Sequence, residues 1–178
     1  MEFPVLISID RIKQRISEMA EEICRDFPEN IHCIVNLDGA LVFFVDLMRE
    51  LHRKGRTVSF ECIKAKSYAG SKSMGKVNLQ YHKTNAEAGK VLIVEDIVDT
   101  GLTLEVLQGA LASKDITIKT CVLIDKKAAR QHRAPVDYAG FEMDDSFLIG
   151  YGLDYDGKYR DLPFISRMPA QGSKPVLL

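Results

Sequence analysis

The chain has 178 residues, 46% of them apolar and 28% charged, with 24 basic residues against 25 acidic ones and a formal net charge of −1. That length suits one domain with a substantial core, and the composition excludes a mainly disordered chain. The near-balanced charge gives no global positive field for a nucleic acid, and no apolar stretch approaches the roughly 20 residues that span a bilayer.

The first residues, Met-Glu-Phe-Pro-Val-Leu-Ile-Ser, lack the basic start of a secretory signal, so the expected location is the cytoplasm. Ile12, Ile16, Met19, Ala20, Ile23 and Phe27 recur at spacings of three and four, which predicts an amphipathic helix capped near Ser8 or Asp10. Ile31 to Val35 reads as a short buried strand, Asp38-Gly39 as a turn, Ala40 to Leu51 as a second helix and Thr57 to Ala65 as another strand. From Lys66 to Lys76 the chain is polar and rich in Gly and Ser, which predicts a mobile loop near 66–78.

Val91-Leu92-Ile93-Val94 is an uninterrupted apolar run, typical of a central parallel strand covered on both faces. An acidic loop, a helix from about Thr103 to Ser113 and a strand from Thr117 to Ile124 follow. Pro135, Gly140, Gly150, Gly152, Gly157 and Pro163 then predict short strands and loops forming a hood over 135–165. Helices alternate with strands, so the expected architecture is α/β: a central, mostly parallel sheet flanked by helices, with right-handed crossovers and a small hood, in one domain over 1–178. Cysteines 24, 33, 62 and 121 stand in apolar contexts without a C-x-x-C pair and read as buried thiols. The four histidines (32, 52, 82 and 132) show no ligand spacing.

The chemistry concentrates in Val91-Leu92-Ile93-Val94-Glu95-Asp96-Ile97-Val98-Asp99-Thr100-Gly101-Leu102-Thr103-Leu104. Ligands of open α/β sheets bind beyond the carboxyl ends of the strands, where Glu95 and Asp96 fall. Two adjacent carboxylates there are costly unless they accept hydrogen bonds or face a cation; sugar hydroxyls or a magnesium-bound ligand would satisfy both. Asp99 to Thr103 leads into a helix whose first N–H groups, with Thr hydroxyls and a close-approach Gly, make an anion site. Asp99-Thr100 alone would be an ordinary helix cap. The whole stretch combines a ribose clamp, a spare carboxylate and a phosphate cradle.

This segment closely resembles the phosphoribosyl-pyrophosphate motif of type I phosphoribosyltransferases. Three further segments narrow the likeness. Asp137 to Glu142, followed by Phe147-Leu148-Ile149-Gly150-Tyr151-Gly152-Leu153-Asp154-Tyr155, looks like the base-binding hood of hypoxanthine-guanine phosphoribosyltransferases. Ser67-Tyr68 resembles the start of their mobile catalytic loop, and Leu37-Asp38-Gly39 their pyrophosphate loop.

The resemblance implies transfer of ribose 5-phosphate from phosphoribosyl pyrophosphate to N9 of a 6-oxopurine, hypoxanthine or guanine, giving IMP or GMP and pyrophosphate. It implies Glu95 and Asp96 on the ribose hydroxyls and Asp99 as the acid/base at purine N7. Val98, Asp99, Thr100, Gly101, Leu102 and Thr103 would bind the 5-phosphate. Lys126 would meet the 6-oxo group, Phe147 would stack on the base, and Leu148 and Asp154 would border it. Leu37, Asp38, Gly39, Arg130 and Arg160 would meet pyrophosphate, with Ser67 and Tyr68 closing over it. Mg2+ is the implied cofactor, held by Glu95, Asp96 and Asp154, and the implied assembly is a homodimer or homotetramer without nucleic acid or membrane.

Two positions depart from the pattern. Asp38 stands where such loops often carry Lys or Asn, and Leu102 replaces a Lys of some relatives. A phosphoribosyltransferase for another base, or a relative that regulates transcription by binding RNA, are the competing readings; intact Asp99, Lys126 and the loop favour the 6-oxopurine enzyme. No G-x-G-x-x-G follows a strand, which excludes a plain dinucleotide-binding domain.

Overall fold

The computed structural model describes residues 3–67, 77–80, 89–112 and 116–168. Helix α1 (Ile9–Asp26) starts at Ser8, whose hydroxyl accepts from the Arg11 N–H at 3.4 Å, and it buries Ile12, Ile16, Met19, Ala20 and Ile23 as one stripe. Strand β1 (Ile31–Asn36) leads through the Leu37-Asp38-Gly39 loop into helix α2 (Ala40–Arg53). The Leu37–Asp38 peptide bond is cis. Strand β2 (Val58–Ser67) pairs antiparallel with β3 (Val77–Gln80), an element the polar loop expected there did not foresee. Strand β4 (Gly89–Val98), helix α3 (Leu102–Leu111) and strand β5 (Ile116–Asp125) complete the central crossover. After a 3-10 turn (Lys127–Ala129) come β6 (Tyr138–Glu142), β7 (Leu148–Ile149) and β8 (Ser166–Arg167).

Among the described residues the main sheet runs β3-β2-β1-β4-β5-β6, and every pair except β2–β3 is parallel. The pleat sorts its side chains. Cys33, Val35, Leu92, Val94, Cys121 and Leu123 join the core under α1 and α2, whereas Ile34, Val91, Ile93 and Val122 pack on Leu104, Leu107 and Leu111 of α3. Both faces of β4 are therefore covered, as its apolar run predicts. The thiols divide, however. Cys33 and Cys121 are buried, Cys24 is partly exposed, and Cys62 on β2 is exposed.

β6 differs from the expectation that placed it in the hood: it is the last strand of the main sheet, parallel to β5. Gly140 allows this, since a Cβ there would lie 2.5 Å from the Leu123 carbonyl oxygen. On β6, the carbonyls of Ala139 and Gly140 accept from the Arg15 guanidinium at 2.8 and 3.1 Å, and Glu22 and Glu18 hold that guanidinium in turn. The hood proper follows β6. Its β7–β8 ribbon is tied to the chain start by an Ile7–Ile165 bridge and to α2 by the Tyr151 hydroxyl, which donates to Asp46 at 2.6 Å.

Candidate active site

At the carboxyl end of β4 lies a cavity of about 320 Å³, bordered by Glu95 to Gly101, Thr103 and Leu104, and on its far side by Asn36 and Ala65. Glu95 and Asp96 still belong to the strand, so they leave it toward opposite faces. Glu95 points to β1, where the Asn36 amide donates to its two carboxylate oxygens at 3.0 and 3.1 Å. It is 3% exposed, and burial, with Asp96 adding its charge, holds its carboxyl well above the usual carboxylate range against the opposing pull of Asn36.

Asp96 faces the loop before α2. A Cβ on Gly39 would sit 1.7 Å from the Asp96 carboxylate oxygen, and a Cβ on Gly152 of the hood would sit 2.4 Å from the Gly39 carbonyl. Gly152 also has φ +96, a left-handed conformation suited to glycine. Loop, strand and hood thus meet with only hydrogens between them. Burial pushes the Asp96 carboxyl up to about 6, offset by the N–H groups of Ile97 and Asp96 and by Arg160, and reinforced by the charge of Asp154. Arg160 holds Asp154 at 2.9 Å and donates to the Gly152 carbonyl. Asp154 also accepts from the Gly157 N–H at 2.8 Å.

Beyond β4 the chain turns sharply. Gly101, at φ +89, caps α3, and the Thr100 carbonyl accepts from the N–H groups of Gln131 and His132 at 2.9 and 3.0 Å. Thr100 Oγ1 is 3.5 Å from the Leu102 nitrogen. Gly101, Thr103 and Leu104, at the start of α3, line the cavity, and a helix N-terminus favours an anion. Arg130 does not sit where an anion contact was expected. Its guanidinium is engaged by the buried Asp125 and by the Ala134 carbonyl, and its stem packs 2.7 Å from a Cβ built on Gly101. That side chain braces the turn from beneath.

Lys126 follows β5, and its N–H donates to the Val98 carbonyl at 3.0 Å, which fixes it beside the end of β4. Its ammonium is 3.4 Å from Asp99 and 3.7 Å from Asp145, with only 6% of the side chain exposed. Asp99 itself is half exposed. In the hood, Leu148 is buried and Phe147 is 52% exposed, its ring edge-to-face with Tyr155 at 5.6 Å. Such exposure sets Phe147 apart from a core residue. Asp38 turns its carboxylate to Lys64 of β2, both oxygens at 3.2 Å. Ser67 ends β2, while Tyr68 and residues 69–76 of the expected mobile loop lie outside the described residues.

The geometry therefore gathers Glu95, Asp96, Asp99, Thr100, Gly101 and Thr103 around one cavity, with Lys126 on Asp99 and with Gly39, Asp154 and Arg160 beside Asp96. Sequence reasoning missed Asn36, Ala65 and Asp145. For Asn36 a signal existed: an amide ending an otherwise apolar parallel strand, on the edge where ligands bind.

Residues 7–156 match the phosphoribosyl transferase domain family. The chain is 38% identical over 165 residues to the hypoxanthine-guanine-xanthine phosphoribosyltransferase of Tritrichomonas foetus, covering 90% of this chain and 88% of that one. It is 37% identical to the hypoxanthine-guanine phosphoribosyltransferase of Dictyostelium discoideum, covering 92% and 94% of the two chains. Among solved structures, a hypoxanthine phosphoribosyltransferase of Trypanosoma cruzi superposes with a TM-score of 0.87 at 35% identity, covering 95% of this chain and 93% of that one. A match over most of the length makes the chain a member of the phosphoribosyltransferase family, among the hypoxanthine-guanine phosphoribosyltransferases.

Proposed function

We propose that the protein is a purine salvage enzyme that transfers ribose 5-phosphate from phosphoribosyl pyrophosphate to N9 of hypoxanthine or guanine, releasing pyrophosphate. The observation that carries this reading is the buried Lys126 ammonium 3.4 Å from Asp99, next to the N-terminus of α3. A fixed cation donates to a 6-oxo group and has nothing to accept from a 6-amino group, so it selects 6-oxopurines. Asp99, half exposed beside it, is the group within reach of the purine ring to manage the N7 proton.

The first turn of α3 with Thr100 and Thr103 binds the 5-phosphate, and Glu95 and Asp96 take the ribose hydroxyls. Positive charge develops on the sugar as the pyrophosphate bond breaks, and carboxylates beneath it are the complement that such a transition state needs. Phe147 stacks on the base, and Leu148 supports that wall. Arg160 and the Leu37-Asp38-Gly39 loop face the pyrophosphate.

Among the described residues no three His, Cys, Asp or Glu side chains converge as a metal cage. Asp96 and Asp154 do stand near enough for the charge of one to raise the carboxyl of the other. Two carboxylates without a cage suit Mg2+, a hard cation that takes most of its ligands from substrate oxygens. When bound, that ion neutralises the departing pyrophosphate.

No helix among the described residues is long and apolar enough to cross a membrane. The cytoplasm and a homodimer or homotetramer are the location and assembly that the family resemblance implies. The test is pyrophosphate release from phosphoribosyl pyrophosphate and Mg2+ with hypoxanthine, guanine, xanthine, adenine and uracil offered in parallel. Turnover with hypoxanthine or guanine is expected. Turnover only with adenine or uracil would overturn the base assignment, and none with any base would overturn the enzymatic reading.

A further inference from the structure

Asn36 is 8% exposed at the end of β1, and its carboxamide reaches the two neighbouring strands, β2 and β4. The β1–β2 ladder ends at the Asn36–Ile63 pair, where the Leu37 N–H donates to the Ile63 carbonyl at 2.8 Å. Ala65, two residues farther along β2, faces no β1 backbone. The Asn36 side chain supplies what is missing: Oδ1 accepts from the Ala65 N–H at 2.8 Å, and Nδ2 lies 3.4 Å from the Ala65 carbonyl. It acts as an additional peptide group. The same Nδ2 donates to Glu95 Oε1 and Oε2 at 3.0 and 3.1 Å. An amide can accept from one strand and donate to another; Asp lacks the donor and Leu lacks both.

The Glu95 carboxylate is 3% exposed and borders the cavity, with Asn36 as the hydrogen-bonding side chain that holds it. A buried carboxylate without a donor would be free to rotate or to withdraw from the sheet edge, and misplacement of a site group by even an ångström is costly. We propose that Asn36 is a positioning residue for sugar binding: it locks the Glu95 carboxylate in the orientation that receives the ribose hydroxyls of phosphoribosyl pyrophosphate, and it acts on that substrate through Glu95. The proposal rests on the ribose-clamp reading of Glu95.

The experiment is a double-mutant cycle on the full-length enzyme with Asn36→Leu, Glu95→Ala and the pair, reading KM for phosphoribosyl pyrophosphate, KM for hypoxanthine, kcat and melting temperature. Asn36→Leu should raise KM for phosphoribosyl pyrophosphate about tenfold or more, leave KM for hypoxanthine within about twofold, and add less than about twofold once Glu95 is already Ala. Asn36→Ala, which also lacks donor and acceptor, should show the same pattern and stands in if the leucine variant does not fold. An equal effect of Asn36→Leu in both backgrounds, or an unchanged KM for phosphoribosyl pyrophosphate, would overturn the proposal. If Glu95→Ala itself leaves that KM unchanged, it is the ribose-clamp reading that fails, a different result from a functional Glu95 that ignores Asn36.

Discussion

Replacing Lys126 by Met removes one charge and little volume, so its effects separate recognition from packing. The ammonium is 6% exposed and meets Asp99 at 3.4 Å and Asp145 at 3.7 Å. A hydrogen bond from a charged donor is worth about 1.5–3 kcal/mol, or roughly 10–150-fold in kcat/KM for a 6-oxopurine. Adenine gains nothing from that ammonium, so its own kcat/KM should stay level or rise, and the hypoxanthine-to-adenine ratio should fall by about tenfold or more. Stability should hardly move. The substitution relieves the desolvation of a buried cation, and both carboxylates left behind have water at hand, being 49% and 75% exposed. Steady-state kinetics with both bases at saturating phosphoribosyl pyrophosphate, alongside a thermal melt, measure all of this. A ratio unchanged within about threefold in a variant that melts normally would refute the assignment of Lys126 to the base.

Asp99→Asn should lower kcat by about 10²–10⁴-fold with little change in KM for phosphoribosyl pyrophosphate, in single-turnover assays as in steady state. Phe147→Ala should raise KM for the base by the worth of one stacked ring, about 1–3 kcal/mol, without lowering the melting temperature by more than a few degrees, because the ring is 52% exposed. Gly39→Ala puts a methyl 1.7 Å from the Asp96 carboxylate, so loop or carboxylate must shift; kcat/KM for phosphoribosyl pyrophosphate should drop on the order of 10²-fold, and a wild-type value would mean that the loop does not press on Asp96. Folding raises the Asp96 carboxyl from 3.8 to about 6, so the native state holds a proton there that the unfolded chain has already lost. That contribution to stability is complete below 3.8 and disappears as pH rises through about 6. Urea unfolding should therefore show Asp96→Asn gaining on the wild type between pH 4.5 and 7, whereas parallel curves would contradict a raised carboxyl.

The sequence made the frame of the fold legible where one physical signal dominated. The stripe from Ile12 to Phe27 with Ser8 before it predicts α1 and its cap, and Val91 to Val94 predicts a strand with two covered faces; both hold. β6 reads as part of the hood and not of the main sheet, although Gly140 lets the strand approach Leu123. At the site, residue types were legible and directions were not. Glu95 and Asp96 read as one clamp after the strand; they lie within it, so the pleat sends one to Asn36 and the other to Gly39. Arg130 read as an anion ligand, but the buried partner Asp125 lies five residues back on β5, and no local pattern predicts that pairing.

The Arg15 cluster has a consequence for how molecules of this protein can meet. A sheet that ends in β6 would ordinarily offer a free row of peptide groups, a template on which a foreign strand can lengthen the sheet and begin a polymer. Here a guanidinium already occupies the carbonyls of Ala139 and Gly140, and Glu18 and Glu22 anchor it. A newcomer would have to displace an ion that four acceptors hold before forming its first rung. At that point of the β6 border, a strand added edge to edge meets a cation already in place.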